Sequence, residues 1–123
     1  MLSQEYKDWI AAIMEQPYAP MIIAEAQTQL AEERRRREQF YNEISEYEKA
    51  EFINGEIIIH SPVKKEHNEI SGAIYRLLST YVNCHELGYV GYEKIMITLQ
   101  RNDYEPDICY FKPEKAKDFK SGQ

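Results

Sequence analysis

The sequence predicts an α/β protein whose N-terminal part is helical. Residues 21–47 contain neither glycine nor proline and repeat apolar side chains at helical spacing, so they predict one long helix. Asn54-Gly55 lies between two short apolar runs, and both residues accept the positive φ of a tight β-hairpin turn. Residues 64–84 carry apolar side chains at i, i+3, i+4 and i+7, which predicts an amphipathic helix after the hairpin.

Length and composition are those of a globular protein. The chain has 123 residues, of which 43% are hydrophobic and 12% aromatic, which is enough for a hydrophobic core. It has no apolar run long enough to span a bilayer, and its first residues are polar and acidic, unlike a signal peptide. We therefore expect a cytoplasmic protein with no membrane partner. Cys84 and Cys109 lack zinc-binding spacing, so we expect two small buried residues and neither a disulfide nor zinc.

The net charge of −6 is concentrated in the first half of the chain. Residues 1–60 contain six Lys or Arg and twelve Asp or Glu, whereas residues 61–123 contain nine of each. Proteins bind DNA largely by neutralising phosphates with Lys and Arg, so the first half would repel DNA and the second half would not. The composition changes at Lys49, and we divide the chain into a helical extension, 1–47, and a second domain, 48–123.

The long helix predicted at 21–47 is apolar at both ends and charged in the middle. Leu30 lies on the first apolar part and Phe40 on the last. The four arginines at 34–37 are flanked by glutamates at i,i+4 spacing, which indicates a solvated, self-paired surface and not a nucleic-acid patch. A lone exposed helix would be less apolar, so we predict that residues 21–47 pack on another helix or on a second copy, with a dimer as the expected state.

The second domain contains further segments with strand composition. Ile57-Ile58-Ile59 is apolar on both faces, which predicts a strand covered on both sides. Residues 89–99 and 104–111, separated by a turn at 101–103, predict an antiparallel pair.

Asp107 is a carboxylate within an otherwise apolar and aromatic strand. Pro106 stands before it at the strand entrance, where no ladder donor is needed. Two explanations stay open from the residues alone. Asp107 caps the turn at 101–103 or pairs with a lysine, or it is a metal ligand.

Four segments, taken in order, resemble one nuclease family. They are residues 51–57 (Glu-Phe-Ile-Asn-Gly-Glu-Ile), Ser61-Pro62, His67 at a helix start, and Pro106-Asp107 followed by a β-run. With this order and spacing, residues 47–111 resemble the Uma-type restriction endonuclease domain of the PD-(D/E)xK nuclease superfamily. The resemblance implies a restriction-endonuclease-like mixed sheet flanked by helices. It also implies hydrolysis of DNA phosphodiesters with Mg²⁺ or Mn²⁺, and a role for Asp107 as metal ligand and catalytic residue.

The resemblance also implies residues that this sequence does not clearly supply. Relatives continue into another strand with an acidic residue and then a lysine, whereas the residues after Phe111 are polar and lysine-rich. Asp118-Phe119-Lys120 matches the D-x-K pattern, and Glu114 with Lys117 is a looser match, but this proline-containing segment is a poor strand. We therefore expect a partial nuclease domain in which Asp107 lacks a lysine, holds the metal weakly, and supports slow cleavage or none.

Other interpretations stay open beside the nuclease. In one interpretation, the chain is a non-catalytic interaction or oligomerisation protein derived from the nuclease fold. In the other, it is a fragment of a longer active enzyme. His67 either ties the start of its helix to the hairpin or lines the cleft near the metal. The same question applies to Glu51 and Glu69.

Overall fold

The computed structural model describes residues 1–45 and 48–118. The chain forms two compact units, which divide between Asn42 and Glu43. The division that the sequence predicts, after residue 47, stays a prediction, since residues 46 and 47 lie outside the described ranges. The α/β class with a helical N-terminal part is confirmed.

The first unit consists of two helices. Helix α1 spans Gln4–Met14 and has no buried residue. Helix α2 spans Ala19–Glu43. Residues 44 and 45, which the sequence predicted to be part of this helix, are not helical. Within the arginine run, Arg35 contacts Glu32 (Nη2 to Oε1, 2.6 Å), which is an i,i+3 ion pair and not one of the predicted i,i+4 pairs.

A four-stranded antiparallel sheet begins the second unit. Strands β1 (Lys49–Ile53) and β2 (Glu56–His60) form the predicted hairpin, and Asn54 and Gly55 have φ of 50° and 86° at its turn. The other two strands are β4 (Ile97–Thr98) and β5 (Asp103–Tyr104), and the order is β2-β1-β5-β4. Pairing of Phe52 with Asp103, both fully buried, joins the hairpin to β5.

The antiparallel pair predicted at 89–99 and 104–111 is divided in two. Strands β3 (Tyr89–Tyr92) and β6 (Ile108–Phe111) form a separate two-stranded sheet, whereas β4 and β5 belong to the larger one. Between the two ladders, residues 93–96 lie opposite residues 105–107, so one strand has an extra residue, as in a β-bulge. The bulged segment therefore lies opposite Asp107.

Helix α3 spans Lys65–Cys84, close to the predicted 64–84, and packs on β3. The rings of Tyr75 and Tyr92 stack at 5.0 Å between their centroids. Much of the apolar stripe of α3 is nevertheless exposed, including Ile70 and Leu77. The hydrophobic core of this unit is small and consists of Ala50, Phe52, Val82 and Val90 among the described residues.

Two expectations about burial are wrong. The strand Ile57–Ile59 was predicted to be covered on both sides, but all of β2 is exposed, and it lies at the edge of the sheet. Cys84 is also exposed, since it ends α3, whereas Cys109 is partly buried and burial raises the pKa of its thiol.

The described segment after β6 is helical. Helix α4 covers Pro113–Ala116, with the proline in its first turn. In the described part of the chain, none of the helices combines the length and the apolar character that crossing a membrane requires.

Candidate active site

The bulge holds the main chain of Asp107 in place. The N–H of Glu93 donates to the carbonyl oxygen of Asp107 at 3.0 Å. Glu93 and Lys94 both have positive φ, 49° and 54°, which is uncommon for residues other than glycine. The carboxylate of Asp107 is 38% exposed, so it remains accessible to a ligand.

Lys49 forms an ion pair with Asp107. Its Nζ donates a hydrogen bond to Oδ1 of Asp107, and its side chain is 28% exposed. Side chains alternate along β1, so Lys49 and Glu51 share one face while Ala50 and Phe52 are buried on the other. The hydrogen bond from Lys49 is the main cause that lowers the pKa of Asp107 below its usual value, and partial burial opposes it.

His67 contacts the second oxygen of the same carboxylate. Its Nε2 lies 3.2 Å from Oδ2 of Asp107, and it stands in the first turn of α3. The contact places His67 beside Asp107, and which of the two roles it has stays a prediction. Glu69 lies elsewhere, on the surface of α3, where it is 3.6 Å from Lys65.

Two glutamates connect β1 to the segment that carries Asp107. Oε1 of Glu51 accepts the N–H of Glu105 at 2.9 Å, and Oε2 of Glu105 accepts the N–H of Ala50 at 3.1 Å. The other oxygen of Glu51 is 2.8 Å from Nε2 of His60. This reciprocal pair of bonds sets the register in which Lys49 meets Asp107.

An open cleft of about 540 Å³ lies over this centre. Its lining combines cationic or titratable side chains, acidic side chains, and the start of the β2–α3 connection. These residues are Glu48, Lys49, Ile59, His60, Ser61, Pro62, Val63, Glu93, Lys94, Glu105 and Asp107.

One family model matches most of this chain. The family described as "Uma2: Putative restriction endonuclease" matches residues 33–122, well over half of the sequence. The chain belongs to the Uma2 family. A nuclease-like function is thereby shown at the level of the family. Comparison with curated proteins finds no match.

Restriction-endonuclease-like families, to which Uma2 is related, generally use divalent metals. Mg²⁺ requires near-octahedral oxygen ligands at 2.0–2.1 Å. Both carboxylate oxygens of Asp107 already contact nitrogen atoms, those of Lys49 and His67. Residues 1–45 and 48–118 contain no group of three or more His, Cys, Asp or Glu side chains placed to hold a metal ion. As arranged, these side chains do not fit the ion.

The remaining candidates lie at or after α4, or outside the described ranges. Asp118 is exposed in the turn after α4, and Lys120 of the D-x-K match lies beyond the described residues. Glu114 and Lys117 are exposed at α4.

Sequence reasoning missed Lys49 in this Uma2 chain. Pairing of Asp107 with a lysine was one of the two explanations left open, but nothing in the sequence named Lys49, which comes from β1, before Asp107 in the chain. The only local signal was the Lys49-x-Glu51 spacing, which places a cation and a carboxylate on one face of the strand.

Proposed function

We propose that this Uma2 chain carries part of a metal-dependent DNA endonuclease centre at Asp107. The observation that supports the proposal is the position of Asp107, at a β-bulge in an open cleft and in contact with Lys49 and His67. Bulges often occur next to active sites, where they redirect a side chain.

The proposed ion is Mg²⁺ or Mn²⁺, and the proposed substrate is a DNA phosphodiester. Asp107 is one carboxylate, and its two oxygens are engaged by nitrogen donors, so we expect the chain as given to hold the ion weakly. The Lys49 ammonium lies where a phosphate oxygen entering the cleft could reach it, and it would oppose negative charge that develops on the phosphate. A cytoplasmic location stays a prediction from the sequence.

Plasmid nicking with Mn²⁺ tests the proposal. Three proteins are compared: the 123-residue chain, its Asp107→Ala variant, and a form extended by a strand that supplies a further acid and lysine. We expect the chain to cut slowly or not at all, and the extended form to cut and to lose activity with Asp107→Ala. Robust cutting by the 123-residue chain that survives Asp107→Ala rejects the role of Asp107.

The same assay tests the tail that we set aside. If the 123-residue chain cuts robustly and both Asp107→Ala and Lys120→Ala abolish cutting, Lys120 belongs to the centre.

A non-catalytic interaction or oligomerisation protein is the second candidate function. The many exposed apolar side chains of the second unit favour it, because exposed apolar surface often marks a site of protein interaction. Ile57, Ile58, Ile59, Ile70, Ile74, Leu77, Leu78 and Tyr81 are all exposed. The proposed homo-oligomer through residues 21–47 is compatible with both candidate functions, and an extended form that never cuts would favour the non-catalytic one.

A further inference from the structure

Strand β2 leaves an unblocked edge at one end of the larger sheet. Among the described strands it pairs with β1 alone, and the register of that pairing is continuous, without a bulge. Its five residues include neither proline nor lysine, two residues that commonly protect an exposed edge. The side chains of Ile57, Ile58 and Ile59 are 49%, 38% and 61% exposed. An edge of this kind is suited to pairing with one further strand.

The sequence of β2 is complementary to itself when two copies run antiparallel. The strand reads Glu-Ile-Ile-Ile-His, with an acidic residue at one end, a histidine at the other and three isoleucines between them. Centring the pair on Ile58 places Glu56 opposite His60 of the second copy, and symmetry repeats this contact. The same register places Ile57 opposite Ile59 of the second copy, so each apolar side chain meets another.

Other registers of the same pairing lose this match. Side chains alternate between the two faces of a strand, so a symmetric antiparallel pair keeps its faces aligned only when its centre falls on a residue. With the centre at Ile57, Glu56 would lie opposite Ile58 of the second copy, and with the centre at Ile59 it would face Pro62. Charge therefore selects the pairing centred on Ile58.

We propose that β2 binds β2 of a second copy of this chain, antiparallel and centred on Ile58, so that two four-stranded sheets become one sheet of eight strands. Nε2 of His60 contacts Glu51 at 2.8 Å, and the imidazole carries a second ring nitrogen for Glu56 of the second copy. The inference requires neither of the two candidate functions.

This contact is separate from the association predicted through residues 21–47, and it is small. A pair of five-residue strands buries far less surface than the roughly 1,200 Å² at the lower limit of stable interfaces. It therefore forms at high protein concentration and separates on dilution, as in size-exclusion chromatography. Covalent trapping detects such a contact.

Disulfide formation between cysteines introduced in β2 tests the contact. The background is the 123-residue chain with Cys84→Ser, which removes the exposed native thiol, and this chain alone is the blank. In a glutathione redox buffer at high protein concentration, Ile58→Cys should form disulfide-linked dimers. Directly opposite Cα atoms lie about 4.5–5.5 Å apart, and a disulfide spans about 4.4–6.8 Å between them.

Ile57→Cys and Ile59→Cys test the register. Each alone should link at least about fivefold more slowly than Ile58→Cys, because equivalent Cα atoms are then about 8 Å apart, beyond the reach of a disulfide. An equal mixture of the two variants should link at a rate within about twofold of Ile58→Cys, since position 57 lies opposite position 59.

A charge reversal tests the two end contacts. In the Ile58→Cys chain, Glu56→Lys should slow linking at least about threefold, because it replaces the carboxylate opposite His60 by a cation. Glu66→Lys makes the same change of charge at an exposed residue of α3 and should leave the rate unchanged. Circular dichroism of each variant verifies that it is folded.

Three results would overturn the pairing. Ile58→Cys links no faster than the blank or than Ile57→Cys and Ile59→Cys alone, mixing those two variants gives no gain, or Glu66→Lys slows linking as much as Glu56→Lys. Absence of linking at all three positions would reject a second copy as the occupant of this edge, in favour of an extended segment of another protein. None of these readouts uses DNA cleavage, so failure of the nuclease assay leaves them unaffected.

Discussion

At Asp107 the attraction of a nearby cation outweighs the cost of burial. The hydrogen bond from Lys49 lowers the pKa of this carboxyl, partial burial acts in the opposite direction, and the charge of His67 adds to the lowering. The folded protein therefore favours the charged carboxylate more than the unfolded chain does. That difference contributes stability above the unfolded pKa, about 3.9, and the contribution disappears as pH falls through the lower folded pKa.

We expect Asp107→Asn to destabilise the protein at about pH 5 and to destabilise it less at about pH 2, because the carboxyl becomes protonated as pH falls through its lowered folded pKa. The loss at the higher pH should be about 1 kcal/mol or less, since the side chain is 38% exposed. Denaturant unfolding at the two pH values measures it. Asp118→Asn, at an exposed carboxylate, is the control, and an equal loss at both pH values in Asp107→Asn would contradict the expectation.

The importance of Asp107 could be predicted from the sequence, but its partners could not. A carboxylate after a proline in an apolar strand already suggested a lysine pair or a metal ligand. Lys49 is 58 positions earlier in the chain, and it reaches Asp107 only because Phe52 pairs with Asp103 and a bulge follows. Such a long-range register has no signature in local periodicity.

At the scale of elements, the connection between α3 and β3 depends on a glycine. Gly88 has φ of 118°, and a Cβ built there would lie 2.1 Å from the carbonyl oxygen of Phe111. Gly88→Ala should therefore destabilise the second unit by about 1–3 kcal/mol, through both the backbone conformation and the collision.

Gly72 offers a matched control for this change. It lies inside α3, and a Cβ there would meet nothing within 4 Å. Gly72→Ala should stabilise the protein by about 0.5–1 kcal/mol, because alanine restricts the unfolded chain and favours the helix. Thermal unfolding of both variants gives the comparison, and Gly88→Ala as stable as the parent would refute the steric argument.

Periodicity identified the helices and the hairpin but not the environment of their apolar faces. The pattern of residues 64–84 located α3 to within one residue at its start, yet Ile70 and Leu77 are exposed. For Ile57–Ile59, composition suggested a covered strand, while the order of the sheet places it at an edge. A pattern reports which side chains share a face, and the surrounding elements decide whether that face is covered.

At the scale of the whole molecule, the predicted dimer through residues 21–47 can be tested on one residue. Leu30 is 42% exposed, whereas Phe40 is only 2% exposed in the single chain, so a change at Phe40 would also disturb folding. We expect the parent to be a dimer and Leu30→Asp to be a monomer, because a charge in an apolar contact between helices opposes association. Size-exclusion chromatography with light scattering measures the mass.

Thr28→Asp adds the same charge on the opposite side of α2, two positions away, and should leave the dimer intact. A parent that is monomeric at high concentration, or a Leu30→Asp variant that remains dimeric, would exclude this interface.

The ion pair between Lys49 and Asp107 also determines when the centre can form during folding. The β1–β2 hairpin and α3 consist of contacts between residues close in sequence, so they can form early. The ion pair closes a loop of 58 positions and depends on strands that must first find their register. During synthesis on the ribosome, both strands of the hairpin are made before Asp107 is added to the chain. The cleft therefore acquires its complete set of charges last, after the framework that carries them has already folded.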